Sequence, residues 1–589
     1  MFTSGLTVSY SQFFYEETPS GFDDFSTGKK KELLFEKLKE YMTGIGKKDL
    51  ILKCIGLLNF DQKTSKYLTP EVFVNFWFNF GSVFYAKMIC ERLKWLSQKM
   101  ESTVLPFNAT TSLSLLEYIL KNIKEEVTVK NKIDLEIDLF KAYTIQTELL
   151  NLEEANIDEH ISNQDSKYIQ QLFIRSFGYN DYINYDINTV YVSQIVKARL
   201  FLEYLETDEK FSKRLSLFLE KNIIENSKTY LDALFKLCKL VYNKETATDD
   251  TIRESPISLE PRGNEIDKVT SFLKTLSIDT EENSLQEDFK AIRNFPLYEE
   301  SHNKFIVIFP LFLMEKAFKS FYWNIIKFNE KESGIKNPKS DIGLQFSENY
   351  ITANVLNKVF ESNEYKTMPG YEIRGPEKKS KGEPDYFAIK ENKIFLFESK
   401  DASVDAGYKT GEKRKLNYDE IENELKKKFY ETEDHKPKAI KQLVTNCIKI
   451  LKKPDDCFYK DYDETKVLIY PILIVHDSSF TALGFNKILD GWFQEHLNFE
   501  LSINNFSTNP QRVFQLVVID IDTLIRFQEY FKKGMIEMND VLYKYHLFCI
   551  HVPSTKEGVM QSASSFSKFL HEYVTNTFSP LVPEGFEIN

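Results

Sequence analysis

A short stretch near the middle of the chain, residues 382–400, contains two apolar runs that meet at a polar turn. The runs at 386–389 and 394–397 are rich in aromatic and β-branched residues, which favour strands. Glu391-Asn392 between them predicts a two-residue loop, because asparagine tolerates the left-handed backbone that such loops need. We therefore predict a β-hairpin whose pairing is fixed along both strands.

This pairing places Asp385 opposite Glu398 at the open end of the hairpin. Directly opposed residues have Cβ atoms roughly 4.5–5.5 Å apart, and two charges at that distance repel by about 3 kcal/mol at an effective dielectric of about 20. Lys400 lies two residues beyond Glu398 and therefore on the same face of the strand. A divalent cation shared by the acids would relieve the repulsion, and carboxylates with further positions left to water and phosphate suit Mg²⁺.

A Pro-Asp pair ending at Asp385, followed by Glu-x-Lys from Glu398 to Lys400 at the end of an apolar strand, resembles the PD-(D/E)xK nuclease superfamily. The resemblance covers roughly residues 341–531. It implies a restriction-endonuclease-like fold, in which Asp385, Glu398 and the backbone carbonyl of Ser399 hold Mg²⁺, with Mn²⁺ able to substitute. It also implies that Lys400 orients the attacking water and contacts the phosphate. An ordinary ion pair at a solvated strand end is the alternative.

A second copy of the same letters occurs further along the chain, at Asp455 and then Glu464 to Lys466. In this copy the Glu-x-Lys precedes the apolar strand at 467–475, and Asp455 lies in a charged loop. Only the first copy places its acids at the open end of a hairpin, so the second is not expected to form a site.

Two helices beside the hairpin supply further candidates. In similar nucleases a helix before the hairpin carries an acid that faces the metal, and Glu348 is the matching position; stabilisation of a helix dipole is the alternative explanation for this residue. The amphipathic stretch 438–451 predicts a helix after the hairpin. Similar nucleases place a Gln or Lys of this helix near the scissile phosphate. Gln442 is therefore a candidate catalytic residue and Lys441 a candidate nucleic-acid contact, with a plain solvent-facing role as the alternative.

The rest of this region predicts alternating strands and helices, at 467–475, 485–497, 513–519 and 523–531. The first of these strands is too apolar to be half-exposed, which predicts a sheet covered on both faces. Pro471 within it predicts a bulge or an edge position, because proline cannot donate into a sheet ladder. The fold class is thus an α/β nuclease core, a mixed central sheet flanked by helices, preceded by a large all-α N-terminal region.

Charge is distributed unevenly along the chain. The net charge is −12, from 76 Lys and Arg against 88 Asp and Glu, but 20 basic residues face 16 acidic ones within 371–453. Phosphate contacts need such a local patch rather than a basic protein. We expect nucleic-acid contacts from Lys378, Lys379 and Lys381, with solubilising lysines as the alternative. The other members of the patch are Lys413, Arg414, Lys415, Lys426, Lys427 and Lys428.

Hydrophobic periodicity predicts an all-helical N-terminal domain at 1–243, for sensing, target selection or oligomerisation. The Pro- and Gly-broken polar stretch 244–267 predicts a linker. Residues 268–340 predict a helical connector, with a helix at 306–328 that Pro310 starts or kinks.

The nuclease domain is expected at 341–550. Its inserted segment at 401–437 predicts either a lid or substrate clamp or a surface excursion. A C-terminal tail with a short helix is expected at 551–589.

Six cysteines and eight histidines without paired spacing predict neither a zinc site nor a disulfide framework. His476, after the strand at 467–475, is either near the site or incidental. The chain shows no secretion signal, and the aromatic-rich stretch 72–90 favours a buried helix over a membrane span. We therefore expect a cytoplasmic protein without a membrane partner.

These features favour a Mg²⁺-dependent endonuclease that hydrolyses DNA phosphodiester bonds. Bacterial restriction or anti-phage defence is the expected role by analogy. An RNA-cleaving nuclease of the same fold, and a non-catalytic nucleic-acid- or protein-binding scaffold on a decayed nuclease core, are the alternatives. DNA is the expected partner, and a homo-oligomer and a phage-derived trigger or partner protein stay open.

Overall fold

The computed structural model divides the chain into two compact units, each built from two separate stretches of sequence. Unit 1 comprises residues 1–160 and 236–316, and unit 2 comprises residues 161–235 and 317–589. The residues that the structure describes are 6–64, 69–78, 82–99, 104–105, 108–124, 128–158, 165–183, 185–221, 224–246, 256–264, 266–280, 289–332, 339, 342–361, 364–374, 382–409, 418–455, 457–506, 512–550 and 556–581.

Helices provide most of the secondary structure. Up to residue 332 they are α1 (Tyr10–Phe13), α2 (Thr27–Met42), α3 (Lys47–Thr64), α4 (Pro70–Trp77), α5 (Val83–Lys99), α6 (Ala109–Asn122), α7 (Lys132–Asp158), α8 (Asp165–Phe177), α9 (Asn180–Ile183), α10 (Ile187–Thr207), α11 (Ser212–Lys221), α12 (Ser227–Thr246), α13 (Ile266–Thr275), α14 (Lys290–Asn294), α15 (Pro310–Met314) and α16 (Lys319–Glu332). Beyond it, a π-helix at Gly343–Ile351 is followed by α17 (Thr352–Val359), α18 (Gly370–Arg374), α19 (Ala406–Lys409), α20 (Tyr418–Phe429), α21 (Ala439–Lys452), α22 (Phe485–Ile503), α23 (Ile521–Lys532), α24 (Met538–Ile550), α25 (Lys556–Ser562) and α26 (Phe566–Thr577).

Unit 1 is mainly helical and contains short strands. These are β1 (Leu6–Thr7), β2 (Val104–Leu105), β3 (Ser258–Leu259), β4 (Leu297–Ser301) and β5 (Lys304–Val307). β1 pairs in parallel with β2, and β5 lies between β3 and β4 in an antiparallel sheet. In the helical core Trp77 packs edge-on against Phe140, with ring centroids 5.6 Å apart. Within the aromatic-rich stretch, α4 is thus a buried packing element, and α5 begins after a break.

Unit 2 is organised around a mixed sheet, which has five strands among the described residues. They are β6 (Lys366–Pro369), β7 (Tyr386–Lys390), β8 (Lys393–Lys400), β9 (Leu468–Val475) and β10 (Val517–Asp520), in the spatial order β10-β9-β8-β7-β6. β6, β7 and β8 are antiparallel, whereas β8, β9 and β10 run parallel. The carboxyl ends of the parallel strands therefore meet at one edge of the sheet, beside the amino end of β7.

The predicted hairpin is present in the expected register, in which Lys390 pairs with Lys393. The left-handed residue of its turn is Glu391, at φ 55°, rather than Asn392. Asn392 serves the turn differently. Its carbonyl accepts the N–H of Leu468 and its Oδ1 accepts the N–H of Asp463, both at 2.8 Å, so the turn is tied to the start of β9.

Pro471 lies in an interior strand, and the β8–β9 register passes through it without a shift. Neither the bulge nor the edge position expected from the sequence is found. Successive N–H groups of a strand point to opposite sides, and that of Ile469 reaches the carbonyl of Arg512 on the β10 side. The nitrogen of Pro471 faces the same side, where the β10 ladder begins only at Ile472. Proline is tolerated here because its nitrogen, which carries no hydrogen, lies just before the first β9–β10 pair and so leaves no ladder hydrogen bond unmade.

Helices cover the sheet in two groups. α21 contacts β8, β9 and α22, while the π-helix contacts β8 and α17, and α17 packs on α23. Right-handed crossovers between parallel strands place α21 and α22 on the same face. The covering of both faces explains why β9 is apolar throughout, and it confirms the expected mixed sheet flanked by helices.

The inserted segment is anchored in the packing of unit 2. α20 buries Tyr418, Ile421, Leu425 and Phe429 along one stripe. The ring of Phe429 packs edge-on against that of Phe480, with centroids 5.1 Å apart. The stripe predicted from the sequence is thus a core contact.

The two units cut across the linear domain order expected from the sequence. Residues 161–235 of the expected N-terminal domain belong to unit 2, where α10 packs on α23 and Lys197 forms an ion pair with Asp522 at 2.5 Å. β3 lies inside the expected linker, and β4 and β5 lie inside the expected helical connector. Residues 306 and 307 end a strand, and Pro310 then begins α15 as its first residue.

The C-terminal stretch contains α25 and α26 rather than a single short helix, and α26 packs on β10. No helix in the described ranges is both long and apolar enough to cross a membrane.

Asp490 of α22 makes the stability of unit 2 depend on pH. Its Oδ1 accepts the N–H of Leu516 at 2.8 Å, and burial raises its pKa to about 6 despite this hydrogen bond and one from Gln494. Because the folded pKa lies above the unfolded value, the folded state binds more protons, and stability falls as pH rises from about 4 to 6.

We expect Asp490→Asn to be more stable than wild type at pH 7, because the neutral amide removes the cost of burying a charge. The gain should be about 1–2 kcal/mol, since partial exposure of the side chain reduces that cost. The two proteins should match at about pH 3, below both the folded and the unfolded pKa of Asp490. Thermal unfolding of both proteins across this range tests the expectation. A stability difference independent of pH contradicts it.

Candidate active site

The amino end of β7 and the carboxyl end of β8 bring the two predicted acids together. Asp385 directly precedes β7, and its N–H donates at 2.9 Å to the carbonyl of Phe397, the residue that pairs with Tyr386. The ladder ends at the Tyr386–Phe397 pair, so the direct pairing of Asp385 with Glu398 expected from the sequence is not part of it, although both residues lie at this open end of the hairpin. Asp385 Oδ2 accepts the N–H of Ser399 at 2.9 Å, so the carboxylate is fixed against β8.

The ammonium of Lys400 lies among these acids. Its Nζ is 3.6 Å from Glu348 Oε1, 3.8 Å from Asp385 Oδ2 and 3.8 Å from Glu398 Oε2. It also donates to the carbonyl of Ser399 at 2.9 Å. The structure thus gathers Lys400 and the four predicted metal donors in one small volume.

Burial and mutual repulsion raise the pKa of two of these acids. Burial raises the pKa of Glu348 to about 7, opposed by Lys400 and reinforced by Asp385 and Asp401. Glu398 is 1% exposed, and burial followed by the charge of Asp385 raises its pKa well above the usual range. Burial lowers the pKa of Lys400, but the surrounding carboxylates outweigh it and leave the pKa above its ordinary value. Lys400 is therefore a charged ammonium at neutral pH.

The chemistry of this donor set fits a hard divalent cation. Carboxylate and carbonyl oxygens are the preferred ligands of Mg²⁺, and Glu398 Oε1 is buried without a hydrogen-bond partner in the described part of the chain. Across the same residues no three His, Cys, Asp or Glu side chains stand at metal-ligand spacing. At the candidate site, Lys400 Nζ lies between the carboxylates.

Glu348 reaches the site from a wide helical turn. The π-helix that carries it continues directly into α17. Thr352 at this junction donates to the carbonyl of Ser347 at 2.8 Å and shares a 2.9 Å hydrogen bond with the hydroxyl of Ser399. π-Type turns are frequent at functional sites, and this one carries Glu348 to the end of β8. The hydrogen bonds tie it to β8.

Two groups beside the site were not predicted from the sequence. Asp401 Oδ2 accepts the hydroxyls of Tyr322 at 2.5 Å and Ser347 at 2.8 Å. Arg374 Nη1 lies 3.8 Å from Asp385 Oδ1. Asp401 directly follows Lys400 at the end of β8, which is a usable signal. Arg374 has no local signal, because β6 and α18 bring it to the site only through tertiary packing.

His476, at the end of β9, does approach the site. Its Nε2 lies 2.9 Å from the hydroxyl of Ser399. Burial lowers its pKa to about 4, so the imidazole is neutral at physiological pH. Its contact is with the side chain of Ser399, on the other side of β8 from the carboxylates.

Gln442 and Lys441 lie on α21, as predicted. Gln442 Oε1 is buried and has no hydrogen-bond partner among the described residues. The ammonium of Lys441 pairs with Glu431 and lies 4.7 Å from the centre of the Tyr430 ring. The charge of Lys441 is therefore locally compensated.

The predicted basic patch contains ion pairs at its described members. Lys426, Lys427 and Lys428 pair with Glu422, Glu433 and Glu424 at 2.7–2.9 Å. Their charges are neutralised by neighbours on or next to the same helix. The remaining members lie outside the described residues: Lys378, Lys379, Lys381, Lys413, Arg414 and Lys415.

The second copy of the motif is a surface segment. Asp455 is fully exposed, and Lys466 makes an exposed pair with Asp463 at 3.2 Å. This outcome agrees with the topological argument made from the sequence.

Comparison with known proteins identifies no relative, since neither a family model nor a curated protein matches the chain.

Gly370 allows the backbone beside Asp385 to approach closely. A Cβ at this position would lie 2.9 Å from the carbonyl oxygens of Pro384 and Asp385, and the N–H of Gly370 donates to the latter at 2.8 Å. We expect Gly370→Ala to destabilise the protein by about 1–3 kcal/mol through overpacking and to displace Asp385. Thermal unfolding measures the stability loss.

Gly491→Ala is the matched control, because a Cβ at this exposed position of α22 meets nothing within 4 Å. It should stabilise the helix by about 0.5–1 kcal/mol. Equal unfolding temperatures for the two variants would contradict the expectation.

Proposed function

We propose that this protein is a divalent-cation-dependent endonuclease that hydrolyses phosphodiester bonds of DNA. The observation that carries the proposal is the convergence of Asp385, Glu398 and Lys400, with Glu348, at the mouth of the hairpin. An ordinary ion pair at a solvated strand end would leave such groups exposed, whereas the Glu398 side chain is 2% and that of Lys400 16% exposed. Burying several acids around one lysine is unfavourable for folding, and groups perturbed in this way cluster at functional sites.

The order of elements in unit 2 supports a restriction-endonuclease-like core. A helix carrying Glu348 precedes the hairpin, and helices alternate with parallel strands after it. In open α/β sheets, sites lie at the carboxyl ends of parallel strands, which is where β8 ends in Glu398 and Lys400. Topology and side chains therefore favour the same class of protein.

In this proposal Asp385, Glu398, Glu348 and the carbonyl of Ser399 hold Mg²⁺, or Mn²⁺ in its place. Such a bound cation polarises the scissile phosphate and lowers the pKa of a coordinated water.

Lys400 contributes charge and orientation rather than a base, because the carboxylates around it keep it protonated. Its ammonium donates to a phosphate oxygen and stabilises the negative charge that develops in the pentacovalent transition state. The N–H of Ser399 holds Asp385 in place during the reaction. Gln442, with an unpartnered Oε1 among the described residues, is proposed to orient the attacking water.

RNA cleavage by the same groups and a non-catalytic scaffold remain the competing functions. The complete set of Asp385, Glu398 and Lys400 favours catalysis, because a core that had lost its activity would usually have lost one of them. A cytoplasmic role in bacterial restriction or anti-phage defence is part of the proposal and rests on the family resemblance alone.

The test uses purified full-length protein with supercoiled plasmid, single-stranded DNA and total RNA, each with Mg²⁺ or with chelator. We expect Mg²⁺-dependent DNA cleavage, reduced at least about 10²-fold in Glu398→Gln and in Lys400→Ala, since each removes a group that stabilises the transition state. Asp455→Asn and Lys466→Ala are matched controls from the exposed second copy of the motif and should cleave like wild type.

Loss of RNA alone would favour the RNA-cleaving alternative, and binding without cleavage would favour the scaffold. Activity that survives in Glu398→Gln and Lys400→Ala would contradict the assigned site. Because some defence nucleases need a trigger, a negative result is repeated with phage-infected lysate.

A further inference from the structure

We propose that the ammonium of Lys400 is an internal counter-cation that a divalent ion must displace, and that the phosphate of bound nucleic acid receives the displaced ammonium. This inference rests on the proposed function and deepens it. It predicts that the affinity for cation and the affinity for nucleic acid are coupled through one side chain.

The donors expected to hold a metal are the oxygens that now surround Lys400. Its Nζ is 3.6 Å from Glu348 Oε1, 3.8 Å from Asp385 Oδ2 and 3.8 Å from Glu398 Oε2, and it donates to the carbonyl of Ser399 at 2.9 Å. Mg²⁺ needs such oxygens at about 2.0–2.1 Å in an octahedral shell. One set of oxygens cannot surround an ammonium and a divalent cation at once, so binding of the second requires departure of the first.

The displaced ammonium has a route outward. The Lys400 side chain is 16% exposed, and its four-carbon stem is flexible. The inner side is closed by the buried carboxylates of Asp385 and Glu398, which are 9% and 1% exposed as residues. An outward swing therefore moves the ammonium toward the mouth of the site, where a phosphate of the substrate would stand.

Charge on the neighbouring elements favours this exchange. Asp385 directly precedes β7, Glu398 comes from β8 and Glu348 from the π-helix, while Arg374 of α18 lies 3.8 Å from Asp385 Oδ1. A divalent ion among these acids would repel the ammonium. A phosphate oxygen at the mouth offers the ammonium a charge-assisted hydrogen bond in place of those it lost.

Reciprocity follows from this exchange. If bound nucleic acid stabilises the outward ammonium, it raises the cation affinity by the same factor by which the cation raises nucleic-acid affinity.

The first arm of the test measures Ca²⁺ binding by calorimetry to full-length wild type and Lys400→Met, without nucleic acid. Ca²⁺ prefers the same oxygen ligands. We expect Lys400→Met to bind Ca²⁺ about tenfold more tightly, because the competing ammonium is gone.

Two control variants separate displacement from a general change of charge. Arg374→Met removes a positive charge beside Asp385 without vacating the oxygens that Lys400 contacts. Lys449→Met removes an ammonium that pairs with Glu383 at 3.6 Å, outside the carboxylate cluster. Both should change Ca²⁺ affinity by less than about threefold. Tightening in Arg374→Met equal to that in Lys400→Met would overturn the proposal.

The second arm repeats the titration with a short DNA duplex present. Wild type should bind Ca²⁺ about tenfold more tightly with the duplex than without it, and Lys400→Met should gain less than about threefold. If Lys400→Met does not fold, as judged by circular dichroism, the wild-type comparison decides. If wild type binds Ca²⁺ with the same affinity whether or not the duplex is bound, the inference is overturned.

The outcomes also separate the inference from the proposed function. Equal Ca²⁺ affinity of wild type and Lys400→Met, together with cleavage that depends on Lys400, overturns the inference and leaves the function standing. Absence of cation binding in every variant together with absence of cleavage overturns both.

Discussion

The antiparallel register between β7 and β8 is the constraint on which the candidate site depends. The tight turn at Glu391 fixes the first pair, and each later pair follows from it as far as Tyr386 and Phe397, the residues next to Asp385 and Glu398. A slip by one residue would turn Tyr386 and Phe397, both fully buried, toward the opposite face of the sheet. The acids that follow this pair are therefore held close together by apolar packing along the ribbon, and not by any attraction between them.

Neighbouring acids are unfavourable by themselves, and the surrounding structure compensates for them in three ways. The N–H of Ser399 donates to Asp385, the ammonium of Lys400 lies within 3.8 Å of the carboxylates, and the pKa values of Glu348 and Glu398 are raised. These features reduce the cost of the cluster but do not make it a net source of stability, because hydrophobic residues in place of a buried ion pair are often at least as stabilising. The large apolar sheet and its helices stabilise unit 2 enough to tolerate the cluster.

Local chemistry made part of this structure predictable. The hairpin, its register and the alternation of strands and helices after it follow from turn residues and hydrophobic periodicity, which act over a few residues. The same kind of reasoning separated the buried Glu-x-Lys at the end of β8 from its exposed copy at Lys466. It failed for Pro471, because tolerance of proline in an interior strand depends on where the neighbouring ladder begins. It failed also for β3, β4 and β5, which are short strands in a stretch that reads as linker and helix.

The sequence by itself determined that two acids and a lysine would end one hairpin, because pairing and side-chain direction in a ribbon are fixed by its turn and its period of two. Only the tertiary structure decided what surrounds them. Glu348, Arg374 and Tyr322 reach the end of β8 from other segments, Tyr322 through its hydrogen bond to Asp401. The lysines of α20 pair with nearby glutamates. Such contacts depend on which faces of distant helices are buried together, and no periodicity along the chain encodes that choice.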